Sequence, residues 1–304
     1  MRRPILRRRL RAVGLAALAA CAGCMGPLTG TIALHQAQDS FNDASTVANQ
    51  RFADAFAKPS DAVLPETAVD KYRRVVELVN DSVLPKVDRD DLKLNALALL
   101  AFSEWQLGVN AHDGRATEHF KNAINAAATG EDRCDAGRVA TNRRDCGMFM
   151  LTPGLVKHSQ AFAQYQEILN VQHRFPTAAE AAQITGQMRA AVADLDKINA
   201  TFPADEPIAQ YGNLQQLVIL DNETHVLLDV RPTPDHAALC TCFGDATSLV
   251  TSHFKVIGAS PAKLPDLTQC AAAADANAPS PIECAAGRKL QQIQQTAGVV
   301  APCA

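Results

Sequence analysis

Apolar residues recur every three or four positions along most of this chain, which is the spacing of one face of an α-helix. The first such face comprises Ala37, Phe41, Ala44, Ala48, Phe52 and Ala55. A second helix is predicted from about Glu66 to Val79. The stretch Leu92–Leu107 is apolar on most sides, which predicts a helix at the centre of the fold rather than at its surface.

The second half of the chain continues the helical pattern. A helix is predicted over Leu155–Val171, and Thr177-x-x-Glu180 has the form of a capping box that begins another. The stretch Leu214–Val230 fits either one long helix or a β-hairpin around a polar turn, and its helical surroundings favour the helix. Strand-like runs of Val, Ile, Tyr and Thr are few. We therefore predict an all-α protein built from antiparallel helical hairpins.

One packing pattern occurs twice, as Ala68-x-x-x-Tyr72-x-x-Val75 and Ala116-x-x-x-Phe120-x-x-Ala123. A small alanine lets two helices approach, and the aromatic ring one turn later fills the groove between hairpins. These spacings resemble the second helix of a tetratricopeptide repeat, and Leu107-Gly108 resembles the end of that repeat's first helix. The resemblance covers about residues 36–128, although the two copies are further apart than the usual period of about 34 residues. It implies a tetratricopeptide-like stack, and an irregular helical bundle is the alternative.

The N-terminus has the composition of an export signal. An arginine-rich head precedes the apolar stretch Ala12–Ala20, which is far shorter than the roughly 20 residues that span a bilayer. Small residues then lead into a cysteine, and Leu18-Ala19-Ala20-Cys21 resembles the bacterial lipobox. The resemblance implies that the Cys21 thiol carries lipid, such as palmitate, and becomes the mature N-terminus. A plain secretory signal without lipid is the alternative.

Two neighbouring residues bear on the anchor. Cys24 is a rival lipid acceptor, although the residue three before it is Cys21, where lipoboxes usually carry leucine. In lipoproteins of this kind, an Asp directly after the modified cysteine usually retains the protein in the inner membrane, and this chain has Ala22 there. The resemblance therefore implies a lipid anchor in the outer membrane, with the protein facing the periplasm.

Breaks in the helical pattern divide the chain into four parts. Residues 1–20 are the predicted signal peptide, and residues 21–30 are a lipidated tether. Residues 31–230 form the predicted helical domain. Residues 231–304 form a cysteine-rich C-terminal region, which begins at the break Arg231-Pro232-Thr233-Pro234. Disulfides rather than a large core are expected to stabilise that last region.

Nine cysteines are many for a cytosolic protein, and export to an oxidising compartment makes disulfides their expected state. The candidates are Cys134, Cys146, Cys240, Cys242, Cys270, Cys284 and Cys303. Cys134 and Cys146 bracket the polar stretch Thr129–Met148, which is predicted to be an irregular loop. A bridge between them would stabilise the fold by restricting the unfolded chain.

For one group of residues, metal binding is the alternative to disulfide formation. This group is His236-x-x-x-Cys240-x-Cys242, with Asp235 before it and His253 after it. Zinc prefers about four nitrogen and sulfur ligands, but zinc fingers usually separate their cysteines by at least two residues. Cys-x-Cys is tighter, and exported cysteines are usually oxidised. We therefore expect disulfides here, with no metal site and no cofactor.

The net charge of the chain and the absence of common catalytic motifs narrow the set of possible functions. A formal net charge of −3 gives no electrostatic basis for nucleic-acid binding. The chain contains no Gly-x-Ser-x-Gly, no His-Glu-x-x-His and no phosphate-binding glycine-rich sequence. We expect a non-enzymatic outer-membrane lipoprotein that presents a helical surface to another envelope protein. A periplasmic small-molecule binder or transport accessory is the alternative, and a metal or redox protein that uses the C-terminal cysteines is a third hypothesis.

Overall fold

The structure, a computed structural model, describes residues 30–46, 66–80, 83–87, 89–111, 114–254 and 280–299, together with residues 267, 270 and 303. Within these residues the chain is predominantly helical and contains no strand. The all-α prediction is confirmed, and residues 214–228 belong to one helix rather than to a hairpin.

The helices of the described residues are α1 (30–46), α2 (Glu66–Leu78), α3 (Asp90–Val109), α4 (Ala116–Glu131), α5 (Ala136–Thr141), α6 (Arg143–Gln166), α7 (Ala178–Thr201), α8 (Pro207–Leu228), α9 (His236–His253) and α10 (Pro281–Ala297). A 3-10 turn, Leu84–Lys86, precedes α3, and a π-helical turn, Glu167–Val171, extends α6. The predicted helix from about Glu66 to Val79 is confirmed as α2. Of the first predicted helix face, Ala48, Phe52 and Ala55 lie outside the described residues.

Successive helices pack against one another as antiparallel hairpins. Extensive contacts join α3 to α4, α6 to α7, and α7 to α8. Further contacts between α3 and α6, between α6 and α8, and between α8 and α10 hold neighbouring hairpins together. The helix α3 is therefore covered on several sides, which explains why Leu92–Leu107 is apolar almost all round.

The buried side chains form three larger clusters in the described part of the chain. The first combines α1, α2, α3 and the start of α6, and it includes Phe41 and Tyr72. The second combines α6, α7 and α8, with Met188 fully buried in it. The third joins α8 to α9 and α10. Phe102 and Ile208 pack against both the first and the second cluster, so these two clusters meet around them.

Two helices begin with capping boxes. The Thr177 hydroxyl accepts a hydrogen bond from the Glu180 N–H at 3.3 Å, and the Glu180 carboxylate accepts one from the Thr177 N–H at 2.9 Å. This confirms the predicted start of α7. Ser280 and Glu283 make the equivalent pair of hydrogen bonds at the start of α10. Each box satisfies N–H groups that a helix start leaves without partners.

The polar stretch Thr129–Met148, which contains Cys134 and Cys146, is not the irregular loop that the sequence predicted. The end of α4, the short helix α5 and the start of α6 account for most of it. The Asp135 carboxylate caps α5 by accepting a hydrogen bond from the Arg138 N–H at 2.8 Å. Apolar periodicity cannot reveal α5, because a helix of six residues contains fewer than two turns.

The described cysteines form three disulfides, Cys134–Cys146, Cys240–Cys303 and Cys270–Cys284. The first confirms the predicted bridge and ties the end of α4 to the start of α6. The second links α9 to residue 303, and the third links residue 270 to α10. Since α9 and α10 also bury apolar side chains against α8, both a core and disulfides stabilise the region after residue 231.

Cys242, also a disulfide candidate, is instead a buried free thiol. The reason is the helical geometry of α9, in which residues two positions apart point to nearly opposite sides. Cys240 therefore reaches Cys303, whereas Cys242 faces inward, beside Leu227 and Leu239. An extended Cys-x-Cys segment would not have separated the two thiols in this way.

The membrane anchor is a separate question from the helical stack. No described helix has both the length and the hydrophobicity that are needed to cross a membrane. The two candidate lipid acceptors, Cys21 and Cys24, lie outside the described residues, as does the rest of the signal-like segment.

Candidate functional site

A cavity of about 560 Å³ lies where α1, α3, α6 and α8 meet, between the first and second core clusters. Its apolar walls include Phe41, Phe102, Met148, Leu151, Leu155 and Ile208. The described polar and charged side chains in its lining are those of Ser45, Arg144, Glu206 and Tyr211. Small-molecule sites typically have about 300–1,000 Å³, mainly apolar walls and a few placed polar groups. This cavity has the size and the lining of such a site.

Close contacts between α6 and α8 position two of its walls. A Cβ atom at Gly147 would lie 2.4 Å from Cγ1 of Ile208, so only the absence of a side chain permits this approach. Gly212 acts in the same way, because a Cβ atom there would lie 2.8 Å from Cδ2 of Leu151. The two glycines thus let α6 and α8 approach and hold Ile208 and Leu151 in place.

Aromatic rings form another side of the cavity. The Phe41 ring packs edge-on against Phe102, with 5.5 Å between the ring centroids, and against Tyr72, with 5.9 Å. Phe102 in turn contacts Trp105 at a centroid distance of 5.0 Å. Such edge-to-face pairs are favourable beyond their burial of apolar area. These ring contacts therefore hold the aromatic side chains in the cavity wall.

Three hydroxyl groups lie in or beside the cavity, those of Ser45, Tyr72 and Tyr211. The Ser45 and Tyr72 hydroxyls are buried without a hydrogen bond of normal geometry. Burial raises the pKa of Tyr72 to about 12, and the neighbouring Ser45 hydroxyl opposes that shift. Burial also raises the pKa of Tyr211, and the nearby Tyr72 adds to the effect. The two phenols are therefore even further from ionisation at pH 7 than an ordinary tyrosine, and all three hydroxyls can act as hydrogen-bond donors or acceptors.

Charged side chains lie on the solvent side of the cavity. Arg144 is exposed, and its guanidinium carbon lies 5.7 Å from the centroid of the Phe41 ring, within the distance of a cation–π contact. Nη1 of Arg143 donates to Oε2 of Glu206 at 2.8 Å, which links the start of α6 to the start of α8. Among the described residues, the guanidinium groups of Arg143 and Arg144 and the Glu206 carboxylate therefore lie at or beside the mouth.

A second polar cluster lies between α7, α8 and α9. Nε of Arg189 donates to Oε1 of Glu223 at 2.8 Å, and its terminal nitrogens reach Asp245 and the Cys242 sulfur, the latter at 3.1 Å. Burial raises the pKa of Cys242 to about 12, and the Glu223 carboxylate adds to that shift. A thiol that stays protonated is a poor nucleophile and a poor metal ligand. This cluster therefore joins three helices without providing a reactive thiolate.

The residues of the alternative metal site are only partly brought together. Nε2 of His236 lies 3.4 Å from Sγ of Cys240, and Cys303 supplies a third potential ligand atom within 4.8 Å of both. Both sulfur atoms belong to a disulfide, whereas a metal requires thiolates. Asp235 caps the start of α9, and His253 is at the opposite end of that helix.

The predicted repeat positions lie in the packed interior. Ala68, Tyr72, Val75, Leu107, Gly108, Phe120 and Ala123 are buried, and Ala116 is half-buried. Of this set, Tyr72 is the one that reaches the surroundings of the cavity, through its contact with Phe41. The resemblance thus identified helix-packing positions and gave no direct indication of the cavity.

Sequence reasoning missed Ser45, Glu206 and Tyr211, which lie on α1, before α8 and in α8. Arg143 and Arg144 belong to the basic residues of the stretch that was predicted to be an irregular loop, and a basic patch for an anionic partner was the alternative interpretation of that stretch. No family model matches the chain, and neither a curated protein nor a solved structure shows significant similarity to it. The cavity and the N-terminal sequence are therefore the features of the chain that bear on its function.

Proposed function

We infer that this protein is a lipid-anchored, non-enzymatic protein of the cell envelope that binds a small, mainly apolar molecule between α1, α3, α6 and α8. The cavity of about 560 Å³ carries this proposal, because it is a space of ligand size between two otherwise well-packed clusters.

The N-terminal sequence supports the location. Leu18-Ala19-Ala20-Cys21 supports lipid attachment after export, and Ala22 supports sorting to the outer membrane with the protein facing the periplasm. Three disulfides among the described cysteines agree with an oxidising compartment. A lipid on the N-terminus would keep the helical stack, and any ligand it holds, close to a membrane surface.

The polar groups of the cavity support binding rather than chemistry. Tyr72 and Tyr211 are protonated at neutral pH, as an ordinary tyrosine is, and burial raises their pKa values further, so neither serves as a general base there. Among the described residues, the neighbour of the Ser45 hydroxyl is the phenol of Tyr72, which does not activate it as a nucleophile. These hydroxyls are suited to orienting a bound molecule.

Ligand binding can be tested with N-phenylnaphthylamine, a neutral probe whose fluorescence increases in apolar surroundings. We expect saturable binding to the native protein and loss of binding in Ile208→Trp, which places a larger side chain in the cavity wall. The matched control is Val299→Trp, because Val299 is 69% exposed and does not line the cavity. Failure of the native protein to bind would refute the proposed ligand function. Equal binding by Ile208→Trp would place the site elsewhere and would refute it as well.

The anchor needs a test of its own. Cys21→Ser should abolish labelling with a palmitate analogue in bacterial cells and should leave the protein unprocessed or in the soluble fraction. Cys24→Ser should be labelled and processed like the native chain. If only Cys24→Ser lost the label, Cys24 would be the acceptor. Absence of label from the native chain would refute lipid attachment.

A second candidate function is contact with another envelope protein. Large apolar side chains are exposed at the connection between α6 and α7, where Val171 is 71% exposed and Phe175 is 47% exposed. The Arg231 guanidinium lies 4.0 Å from the centroid of the Phe175 ring, which leaves a mixed apolar and cationic surface. A photocrosslinking residue at position 171 should capture one reproducible partner in cells, with position 299 as the control. Capture of no reproducible partner at 171 would argue against this function.

A further inference from the structure

We propose that the molecule bound in the cavity is a single-chain amphiphile with an anionic head group. In this arrangement Arg144 binds the head at the mouth, and the alkyl chain enters the apolar interior. The inference rests on the proposed ligand binding and specifies the chemical class of the ligand.

Among the described residues, the ion pairs at the mouth leave the Arg144 guanidinium available. Glu206 is already engaged by Arg143 at 2.8 Å, whereas Arg144 makes no salt bridge, and its charge acts on the buried carboxylate of the adjacent Asp145. The face of the Phe41 ring lies beside the Arg144 guanidinium, so one side of that group is held against an apolar surface. Its remaining N–H donors can bind a carboxylate or a phosphate in a two-point geometry.

Two helix starts add to the positive potential at the mouth. Arg144 is in the first turn of α6, and Pro207 and Ile208 are in the first turn of α8. Neither Asn142 nor Glu206, the residues that precede these helices, caps its helix with a side-chain hydrogen bond. A helix start carries a partial positive charge, which Asp145 in the first turn of α6 and Glu206 before α8 offset in part, so Arg144 is the main attraction for an anion at the mouth.

The interior suits an alkyl chain. Met148, Leu151, Leu155 and Ile208 form aliphatic walls, and Arg144 and Glu206 are the charged residues among the described lining. A chain in this space would leave water and contact these side chains, which is the main source of affinity for such a ligand. A cavity of about 560 Å³ suits one alkyl chain rather than the two chains of a diacyl phospholipid.

The test compares probes that share one chain and differ in the head group. Dodecanoate, dodecyl phosphate, dodecanol and dodecyltrimethylammonium would each displace N-phenylnaphthylamine from the native protein, below their micellar concentrations. We expect both anions to bind about tenfold more tightly than dodecanol, because each gains a charge-assisted contact. The cationic probe should bind most weakly. The ratio of the two anions then distinguishes a carboxylate ligand from a phosphate ligand.

Variants assign this preference to one side chain. Arg144→Gln should weaken binding of the anions by about tenfold and leave the affinity for dodecanol unchanged. Arg144→Lys should retain part of the preference. Arg73→Gln is the charge-matched control, because Arg73 is exposed on α2, pairs with Asp70 and does not line the cavity. It should bind all four probes like the native protein.

Chain length provides a second readout. Each methylene added to a carboxylate probe should tighten binding by about fourfold until the cavity is filled. Equal affinities for dodecanoate and dodecanol, unchanged by Arg144→Gln, would overturn the anionic class while leaving ligand binding intact. An equal loss in Arg73→Gln would assign the effect to net charge and would also overturn the role of Arg144. If N-phenylnaphthylamine itself fails to bind, the proposed function fails instead.

Discussion

Gly108 of α3 lies directly against the ring of Phe120 of α4, and a Cβ atom on Gly108 would be 2.6 Å from Cδ1 of that ring. Gly108 is inside α3, not at its cap. Its role is therefore to let the two helices approach, rather than to supply an unusual backbone conformation. Phe120 is buried and has little room to move away from an added methyl group.

The first prediction tests this contact. Gly108→Ala should lower the free energy of unfolding by about 1–3 kcal/mol, because the added methyl group overpacks the interface between α3 and α4. The matched control is Gly186→Ala in α7, where a Cβ atom would meet nothing within 4 Å. Alanine is the better helix former, so that change should stabilise the protein by about 0.5–1 kcal/mol. Urea unfolding measures the change in stability of both variants. Changes of the same sign would contradict the role of Gly108 in the close approach of α3 and α4.

Sequence reasoning succeeded where the signal is local. The capping box at Thr177 and Glu180 involves residues one turn apart, and the apolar stripe of α7 repeats over its whole length. The Cys134–Cys146 bridge was also predictable, since the two cysteines bracket one polar stretch. In each of these cases the deciding contacts lie close together along the chain.

The polar residues near the middle of α8 show why other features were harder to predict. Asp221 and Glu223 could be assigned to a hairpin turn, because turns favour polar residues. In the structure Asp221 accepts a hydrogen bond from Lys289 of α10 at 2.7 Å, and Glu223 pairs with Arg189 of α7. These partners lie on other helices, so no local pattern can reveal them. The cavity was unpredictable for the same reason, because its walls depend on how four helices stack.

The second prediction concerns the disulfide between α4 and α6. Cys134→Ser should cost about 2–4 kcal/mol of stability, because the bridge restricts the unfolded chain. The double variant Cys134→Ser/Cys146→Ser should be about as stable as either single variant, since the second change removes a thiol that no longer has a partner. Urea unfolding under non-reducing conditions measures all three. Native-like stability of Cys134→Ser would contradict a structural bridge.

The third prediction concerns Arg189, which holds Glu223, Asp245 and Cys242 together. Arg189→Met should cost about 3 kcal/mol, because it leaves the buried Glu223 carboxylate without its cation. Arg73→Met is the control, since the pair of Arg73 with Asp70 is exposed and should contribute less than about 1 kcal/mol. A double-mutant cycle of Arg189→Met with Glu223→Gln should give a clear coupling energy. A coupling energy near zero would show that Arg189 does not stabilise the Glu223 carboxylate.

His158 provides a pH-dependent contribution to stability. It is buried in α6, and its Nε2 accepts a hydrogen bond from the Asn222 amide at 2.9 Å, which requires an unprotonated nitrogen. Burial lowers the pKa of His158 from 6.5 to about 4. The unfolded chain therefore binds a proton near pH 6.5 that the folded chain binds only near pH 4. The stability from neutral His158 is fully present above pH 6.5 and is lost as the pH falls towards 4.

The fourth prediction concerns the loss of stability that His158 causes as the pH falls. Between pH 7 and pH 4, His158 should account for a loss of up to about 3 kcal/mol in the free energy of unfolding. His158→Gln keeps a hydrogen-bond acceptor for Asn222 and does not titrate, so it should lack this component. The difference in unfolding free energy between the native protein and this variant is therefore the quantity to measure by urea unfolding across that range. Carboxylates elsewhere titrate equally in both proteins, so their contributions cancel in this difference. If the difference in unfolding free energy stayed constant with pH, His158 would not be held neutral in the folded protein.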